Sequence, residues 1–157
     1  MTRLVQMAKA PVPGKVKTRL AATLGPVAAT RLAAAFIEDV WAMARATPGV
    51  QASVALSGDP ALLPESVAAS GALVVPQGEG DLGQRMARHL CASIAADREA
   101  GGPGHAVMIG TDMPGLPRGL VLRASRLLAD HDAVLGPAED GGFYLIALRT
   151  CTPDLLD

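Results

Sequence analysis

Residues 4–19 read Leu4-Val-Gln-Met-Ala-Lys-Ala-Pro-Val-Pro-Gly-Lys-Val-Lys-Thr-Arg19. An apolar, strand-like run, Leu4–Met7, is followed by a loop, Lys9–Arg19, with two prolines, one glycine and four cationic side chains. Glycine lets the backbone approach a ligand closely, and the prolines stiffen the loop and lower the entropy cost of ordering it. The loop therefore indicates a cradle for a phosphate chain, although its charge alone fits a solvated basic loop equally well.

Charge is distributed unevenly along the chain. The first 37 residues contain six basic side chains and no acidic one, whereas the remainder contains all 15 acidic residues and eight basic ones. The net charge of −1 therefore hides a local positive field, which attracts anions. The glycine and lysine of the basic loop do not have the Gly-x4-Gly-Lys-Ser/Thr spacing of a Walker loop. The candidate phosphate-binding residues in this segment are Lys9, Gly14, Lys15, Lys17 and Arg19.

Short apolar runs alternate with stretches of helical spacing, which predicts the α/β class. The predicted strands are Leu4–Met7, Ala52–Ser57, Leu73–Pro76, Ala106–Gly110, Ala133–Gly136 and Phe143–Leu148, and the predicted helices are Pro26–Ala46, Leu82–Ala96 and Gly119–Ala129. Strands buried on both faces and separated by helices favour a three-layer α/β/α sandwich with a mostly parallel sheet. The 157 residues suit a single domain.

Composition excludes several classes of partner. The net charge of −1 and an aromatic content of 3% give no general attraction to nucleic acid, for which a basic face with interleaved aromatic residues would be expected, so we expect no nucleic-acid partner. No apolar run approaches the length of a signal peptide or a membrane span, so we expect no membrane association. Cys91 and Cys151 are far apart and have no histidine at metal-ligand spacing, so neither a disulfide nor a zinc site is predicted. These features together predict a cytoplasmic protein.

In open α/β sheets, ligands bind beyond the carboxyl ends of the strands. Besides the basic loop, two polar segments directly follow predicted strands, Gly110-Thr-Asp-Met-Pro114 and Gly136-Pro-Ala-Glu-Asp-Gly-Gly142. We therefore expect the three loops to converge at one edge of the sheet. Asp112 and Asp140 would be candidate ligands of a divalent cation, because Mg²⁺ is held by one or two carboxylates together with phosphate and water. The alternatives are a turn or helix cap for Asp112 and a hairpin turn for Asp140.

A further glycine-containing segment, Gly78-Glu-Gly-Asp-Leu-Gly83, precedes a predicted helix. The free N–H groups at a helix N-terminus can bind a nucleotide, so the candidate nucleotide-binding residues here are Gly80, Asp81, Gly83 and Arg85. For Asp81 we favour the alternative of an N-cap, because Gln84 stands three residues later and completes a capping-box pattern.

Four ordered motifs together resemble a known family. They are Ala8–Leu20, Gly80-Asp-Leu-Gly-Gln-Arg-Met86, Ile109-Gly-Thr-Asp-Met-Pro114 and Gly136-Pro-Ala-Glu-Asp-Gly-Gly-Phe-Tyr-Leu-Ile146. The chain resembles the bacterial GT-A-type glycosyltransferase-like proteins associated by name with arsenosugar biosynthesis. Its basic loop is also similar to that of 2-phospholactate guanylyltransferases, and its Gly-Thr-Asp-Met-Pro turn is similar to that of molybdenum-cofactor nucleotidyltransferases.

The resemblance implies the nucleotide-diphospho-sugar transferase fold, which is Rossmann-like. It further implies that the four cations of the basic loop hold phosphate, and that Asp112, with Asp140 as a second or acceptor-side carboxylate, holds Mg²⁺ or Mn²⁺. Family members usually continue beyond the Phe143–Ile146 strand, so we expect residues 1–157 to form one GT-A-like domain without that C-terminal segment.

Three functions remain open. The first is a metal-dependent glycosyltransferase that moves a sugar from a nucleotide-sugar to a small-molecule acceptor. The second is a nucleotidyltransferase, in which the loop binds a nucleoside triphosphate, a phosphorylated acceptor attacks and pyrophosphate leaves. The third is a non-catalytic nucleotide-binding module. A homodimer that covers an open sheet edge is a further expectation.

Overall fold

The computed structural model describes residues 1–151 and 156. The strands in this part of the chain are β1 (Thr2–Lys9), β2 (Val50–Ser57), β3 (Leu73–Pro76), β4 (Ala106–Ile109), β5 (Ala133–Pro137) and β6 (Phe143–Leu148). They form one sheet with the order β3-β2-β1-β4-β6-β5. β1 pairs in parallel with both β2 and β4, and β2 pairs in parallel with β3. Because β6 pairs antiparallel with both β4 and β5, it is the strand that runs against the others.

The helices are α1 (Thr18–Leu24), α2 (Pro26–Arg45), α3 (Glu65–Ala68), α4 (Leu82–Glu99) and α5 (Arg118–Leu127), with a 3-10 turn at Pro60–Leu62. Local signals account for two helix starts. α2 has Pro26 in its first turn, where the absent N–H is not needed, and α4 has the predicted capping box at Asp81 and Gln84. None of the described helices combines the length and the apolar character that a membrane crossing requires.

Alternate residues of the central strand β4 serve opposite faces of the sheet. Val107 and Ile109 pack in a cluster with side chains of α2 and α5, whereas Ala106 and Met108 pack with Leu90 and other side chains of α4. A strand buried on both faces explains its wholly apolar sequence. The arrangement confirms the predicted three-layer sandwich with a mostly parallel sheet.

Helix α1 was not predicted, and the limits of the basic loop change as a result. The expected loop ran to Arg19, but α1 begins at Thr18, so Arg19 lies on a helix. The sequence gives no start signal here, because Lys17 occupies the N-cap position without a side-chain cap and the first turn has no acidic residue.

The prediction of unpaired cysteines was wrong. Cys91 on α4 and Cys151 beyond β6 form a disulfide whose Cα atoms are 4.8 Å apart, and no cysteine is free in the described part of the chain. The spacing of 60 residues gave no hint, because it is the packing of α4 on the sheet that brings the two cysteines together. The cysteines therefore no longer support the inference of a reducing compartment.

Candidate functional site

A cavity of about 930 Å³ opens at the carboxyl ends of the parallel strands. The loops that follow β1, β4 and β5 all contribute to its lining, as the position rule for α/β sheets predicts. Six predicted site residues line it together: Lys9, Lys15, Lys17, Arg19, Asp112 and Asp140. The cavity thus brings the cationic loop face to face with the two candidate metal carboxylates.

The basic loop is fixed by a buried apolar residue between two lysines. Val16 is 7% exposed and lines the cavity, and the N–H of Lys15 donates to the carbonyl of Val12 across a turn. Gly14 lies in this turn with φ of 74°, a conformation that glycine adopts readily, and it does not belong to the cavity lining. Among the described residues, Lys9, Lys15 and Arg19 have no acidic partner. Within the part of the chain that the structure describes, three of the four cations are therefore available to an anion.

Lys17 differs from the other three cations because it is already paired. Its Nζ lies 2.5 Å from Oδ1 of Asp112 and 4.5 Å from the centroid of the Phe36 ring. The Lys17 side chain is 16% exposed, whereas that of Asp112 is 78% exposed. The ion pair therefore joins a largely enclosed ammonium group to a carboxylate that remains open to solvent.

Asp140 lies in the tight connection between β5 and β6. Its Oδ1 accepts a hydrogen bond from the N–H of Gly142 at 3.0 Å, and the turn is closed by a hydrogen bond from Gly141 N–H to Ala138 C=O. The hairpin interpretation of this segment is therefore correct. It does not exclude a ligand role, because the exposed Asp140 also lines the cavity.

Gln77 was missed by the sequence analysis. It is 7% exposed, lines the cavity, and donates through Nε2 to the carbonyls of Ala8 at 2.9 Å and Ala55 at 3.0 Å. These bonds tie together the carboxyl ends of β1 and β2. The available signal was its position, because Gln77 is the first polar residue after the predicted strand Leu73–Pro76.

Arginines of α4 hold the loop that precedes it. Arg88 donates to the carbonyls of Gln77 at 2.7 Å and Glu79 at 2.8 Å, and Nε of Arg85 donates to the carbonyl of Gly80 at 2.8 Å. The buried His89 places Nε2 3.3 Å from the same Gln77 carbonyl, and burial, with a contribution from Arg88, lowers the pKa of His89. A neutral imidazole is therefore favoured at neutral pH.

The second glycine segment contributes less to the cavity than the first. The predicted nucleotide-binding residues Gly80, Asp81, Gly83 and Arg85 lie outside the lining, although Leu82 belongs to it. Oδ1 of Asp81 accepts from Gln84 N–H at 2.9 Å, and Oε1 of Gln84 accepts from Asp81 N–H at 3.2 Å. The N-cap interpretation of Asp81 is confirmed.

We expect Asp81→Ala to lower the free energy of unfolding by about 1 kcal/mol, the usual loss when an N-cap side chain is removed. Because the carboxylate is used within the capping box, the temperature shift produced by a bound nucleotide should match that of the wild type. Urea unfolding and ligand-dependent melting would measure the two effects. Loss of the nucleotide shift at unchanged stability would instead assign Asp81 to the ligand.

Apolar side chains occupy the exposed part of the cavity lining. Leu20, Leu82, Met113 and Phe143 line it and are 40 to 65% exposed. Exposed large apolar side chains grouped around a cavity are typical of ligand-binding surfaces, since flat ring faces pack well against them. The cavity therefore combines cations and carboxylates for charged groups with apolar surface for rings.

Asp112 and Asp140 have the type of side chain that binds a divalent cation arriving with phosphate. The described residues contain no cluster of three or more His, Cys, Asp or Glu side chains able to hold a metal by themselves. Mg²⁺ is commonly held by one or two carboxylates, with substrate phosphates and water completing the shell. Asp112 already binds a cationic group, the ammonium of Lys17. Asp112 and Asp140, which line the same cavity, are therefore the candidate donors for such a cation.

Comparison with protein families finds one match. The family described as "Uncharacterized protein conserved in bacteria (DUF2064)" matches residues 40–157. The basic loop lies before the matched region, whereas the Asp112 and Asp140 loops lie within it. No curated protein matches the chain.

Among solved structures, a protein from Desulfovibrio desulfuricans G20 is 31% identical and has a TM-score of 0.83. The match covers 99% of this chain and 67% of the other, which is provisionally assigned as a nucleotide-diphospho-sugar transferase. A CMP:2-keto-3-deoxy-manno-octonic acid synthetase solved with CTP is 13% identical, with a TM-score of 0.53 over 99% of this chain and 75% of the other, and shows likeness of fold alone. These matches confirm the family resemblance and the nucleotide-diphospho-sugar transferase fold.

Proposed function

Because the chain belongs to the DUF2064 family and has the nucleotide-diphospho-sugar transferase fold, we propose that it is a metal-dependent transferase that moves a sugar from a nucleotide-sugar to a small-molecule acceptor. One observation carries the proposal. A single cavity joins the cations Lys9, Lys15 and Arg19, which have no acidic partner among the described residues, to the carboxylates Asp112 and Asp140. This combination suits a diphosphate that gains negative charge as it leaves.

Different side chains of the cavity would bind different parts of the donor in such a reaction. Lys9, Lys15 and Arg19 bind the phosphate oxygens, and Arg19 can do so through two parallel hydrogen bonds. Asp112 and Asp140 would hold Mg²⁺ or Mn²⁺, which would supply Lewis-acid stabilisation of phosphate charge. Gln77 fixes the carboxyl ends of β1 and β2, from which the basic loop departs. The exposed Met113 and Phe143 offer apolar surface to a base or sugar ring.

Nucleotidyl transfer is the second candidate, and the number of cations favours it. Four cationic side chains at one cavity match the charge of a triphosphate better than that of a diphosphate bearing a sugar. In that reaction the same side chains would hold the β- and γ-phosphates while an acceptor phosphate attacks the α-phosphorus and pyrophosphate leaves. A protein with the same fold was solved with CTP. The two candidates differ in the donor that they require.

A panel of donors tests the proposal. We expect one nucleotide-sugar, at about 100 times its Kd with Mg²⁺, to stabilise the folded protein by about 2.7 kcal/mol, which raises Tm by about 5–10 °C for a chain of this size. Incubation with candidate acceptors should then release free nucleoside diphosphate. A shift with a nucleoside triphosphate and release of pyrophosphate would favour nucleotidyl transfer. A shift without turnover of any donor would indicate a binding module, and no shift at all would contradict nucleotide binding.

A further inference from the structure

Lys17 is held in an unusual backbone conformation. With φ of 48° and ψ of 42°, it is the non-glycine residue with positive φ in the described part of the chain. This left-handed conformation is disfavoured for a side chain with a Cβ, so the surrounding contacts must maintain it. Around Lys17 lie the buried Val16 before it, the Phe36 ring near its ammonium group and the carboxylate of Asp112, and its carbonyl accepts from Ala21 N–H.

The conformation places a cation on the carboxylate that a metal would need. The ammonium group of Lys17, 2.5 Å from Oδ1 of Asp112, and a divalent ion are both cations that require this oxygen. They cannot share it without strong mutual repulsion at such short range. The described residues also provide no cluster of three protein ligands that could compensate a free ion for that repulsion.

A phosphate chain removes the conflict. Its oxygens provide a new anionic partner for the ammonium group of Lys17, and they also supply the ligands that the protein lacks. Lys9, Lys15 and Arg19, which have no acidic partner among the described residues, are placed around the same cavity to receive it. Displacement of Lys17 and arrival of the metal are thereby linked to the same ligand.

We propose that Lys17 is an internal counterion that keeps Asp112 occupied until phosphate arrives, so that the protein binds its divalent cation as a complex with the diphosphate rather than before it. The inference rests on the proposed function and specifies the form in which the donor is bound. Metal and diphosphate then bind with positive coupling, each raising the affinity for the other by the same factor.

Equilibrium dialysis with Mn²⁺, alone and with inorganic pyrophosphate, tests the inference without any assay of activity. We expect the wild type to hold Mn²⁺ weakly when alone and more tightly with pyrophosphate. Lys17→Met keeps the apolar stem and removes the charge, so it should bind Mn²⁺ alone on the order of tenfold more tightly than the wild type, as expected when a unit charge near a divalent ion is lost. The increase in Mn²⁺ affinity that pyrophosphate causes should therefore be smaller in Lys17→Met than in the wild type.

Two control variants distinguish the effect of Lys17 on Mn²⁺ binding from effects of folding and of overall charge. Lys17→Arg keeps the cation and should retain the weak wild-type binding of Mn²⁺ alone. Arg31→Met removes one exposed cation of the acid-free segment outside the cavity lining and should change Mn²⁺ binding less than about twofold, because salt screens charges at a distance. If pyrophosphate enhances Mn²⁺ binding to the wild type but Lys17→Met binds Mn²⁺ alone no better, the inference is overturned and the proposed function stands. If neither protein retains Mn²⁺ with or without pyrophosphate, both are overturned.

Discussion

Asp112→Asn is expected to lower Mg²⁺-dependent turnover of the donor by about three orders of magnitude, because loss of the metal removes about 4 kcal/mol of charge stabilisation in the transition state. The amide of asparagine carries no negative charge and binds Mg²⁺ poorly. The fold should persist, since the Asp112 side chain is 78% exposed and its ion pair with Lys17 contributes at most about 1 kcal/mol at such an exposed site. Donor consumption at saturating Mg²⁺, together with urea unfolding, measures both effects.

Asp132→Asn is a matched control for this variant. The Asp132 side chain is 77% exposed and its Oδ1 lies 2.8 Å from Nε of Arg149, so it also belongs to an exposed ion pair. It does not line the cavity. The control should therefore keep wild-type turnover while undergoing the same chemical change. Equal turnover in the two variants would rule out Asp112 as the metal ligand.

The strands were predictable because a buried strand has a continuous run of apolar residues in the sequence. β4 lies at the centre of the sheet, so all four of its residues are buried and the run Ala106–Ile109 is wholly apolar. The apolar run of β6 does not show whether this strand is parallel or antiparallel to its neighbours. The direction of β6 depends on the short connection around Asp140 and Gly141, where the Asp-Gly pair gave the available hint of a hairpin.

The cavity was predictable from one rule about position. Asp112 and Asp140 follow strands directly, and strands of one direction end at one edge of the sheet, so the sequence could place both carboxylates opposite the basic loop. The ion pair between Lys17 and Asp112 joins residues that are 95 positions apart in the sequence. It also involves a left-handed backbone conformation at Lys17, which the sequence does not predict. The arginines of α4 were equally unpredictable, because sequence cannot tell a guanidinium that binds phosphate from one that binds loop carbonyls.

Removal of the disulfide is expected to lower the free energy of unfolding by about 2–4 kcal/mol. The bond closes a loop of 60 residues, and such a loop restricts the unfolded chain by about 4 kcal/mol in the chain-entropy description, with native disulfides typically giving 2–4 kcal/mol. Its position follows from the core. Leu90, next to Cys91, and Leu148, three residues before Cys151, belong to the same buried cluster between α4 and the sheet. The long-range packing that the sequence did not disclose is thus what positions the two sulfur atoms.

Urea unfolding of the wild type, with and without a reducing agent, and of the double variant Cys91→Ala/Cys151→Ala measures this effect. The reduced wild type and the double variant should unfold at similarly lowered urea concentrations, and the reductant should not change the double variant further. Thiol titration of the oxidised protein in denaturant should detect no free thiol, since both cysteines are paired. Because the bond acts through the loop that it closes, the loss should appear without a change in nucleotide affinity under native conditions. Two titratable thiols and an unfolding midpoint insensitive to reductant would show that the cysteines are not paired in solution.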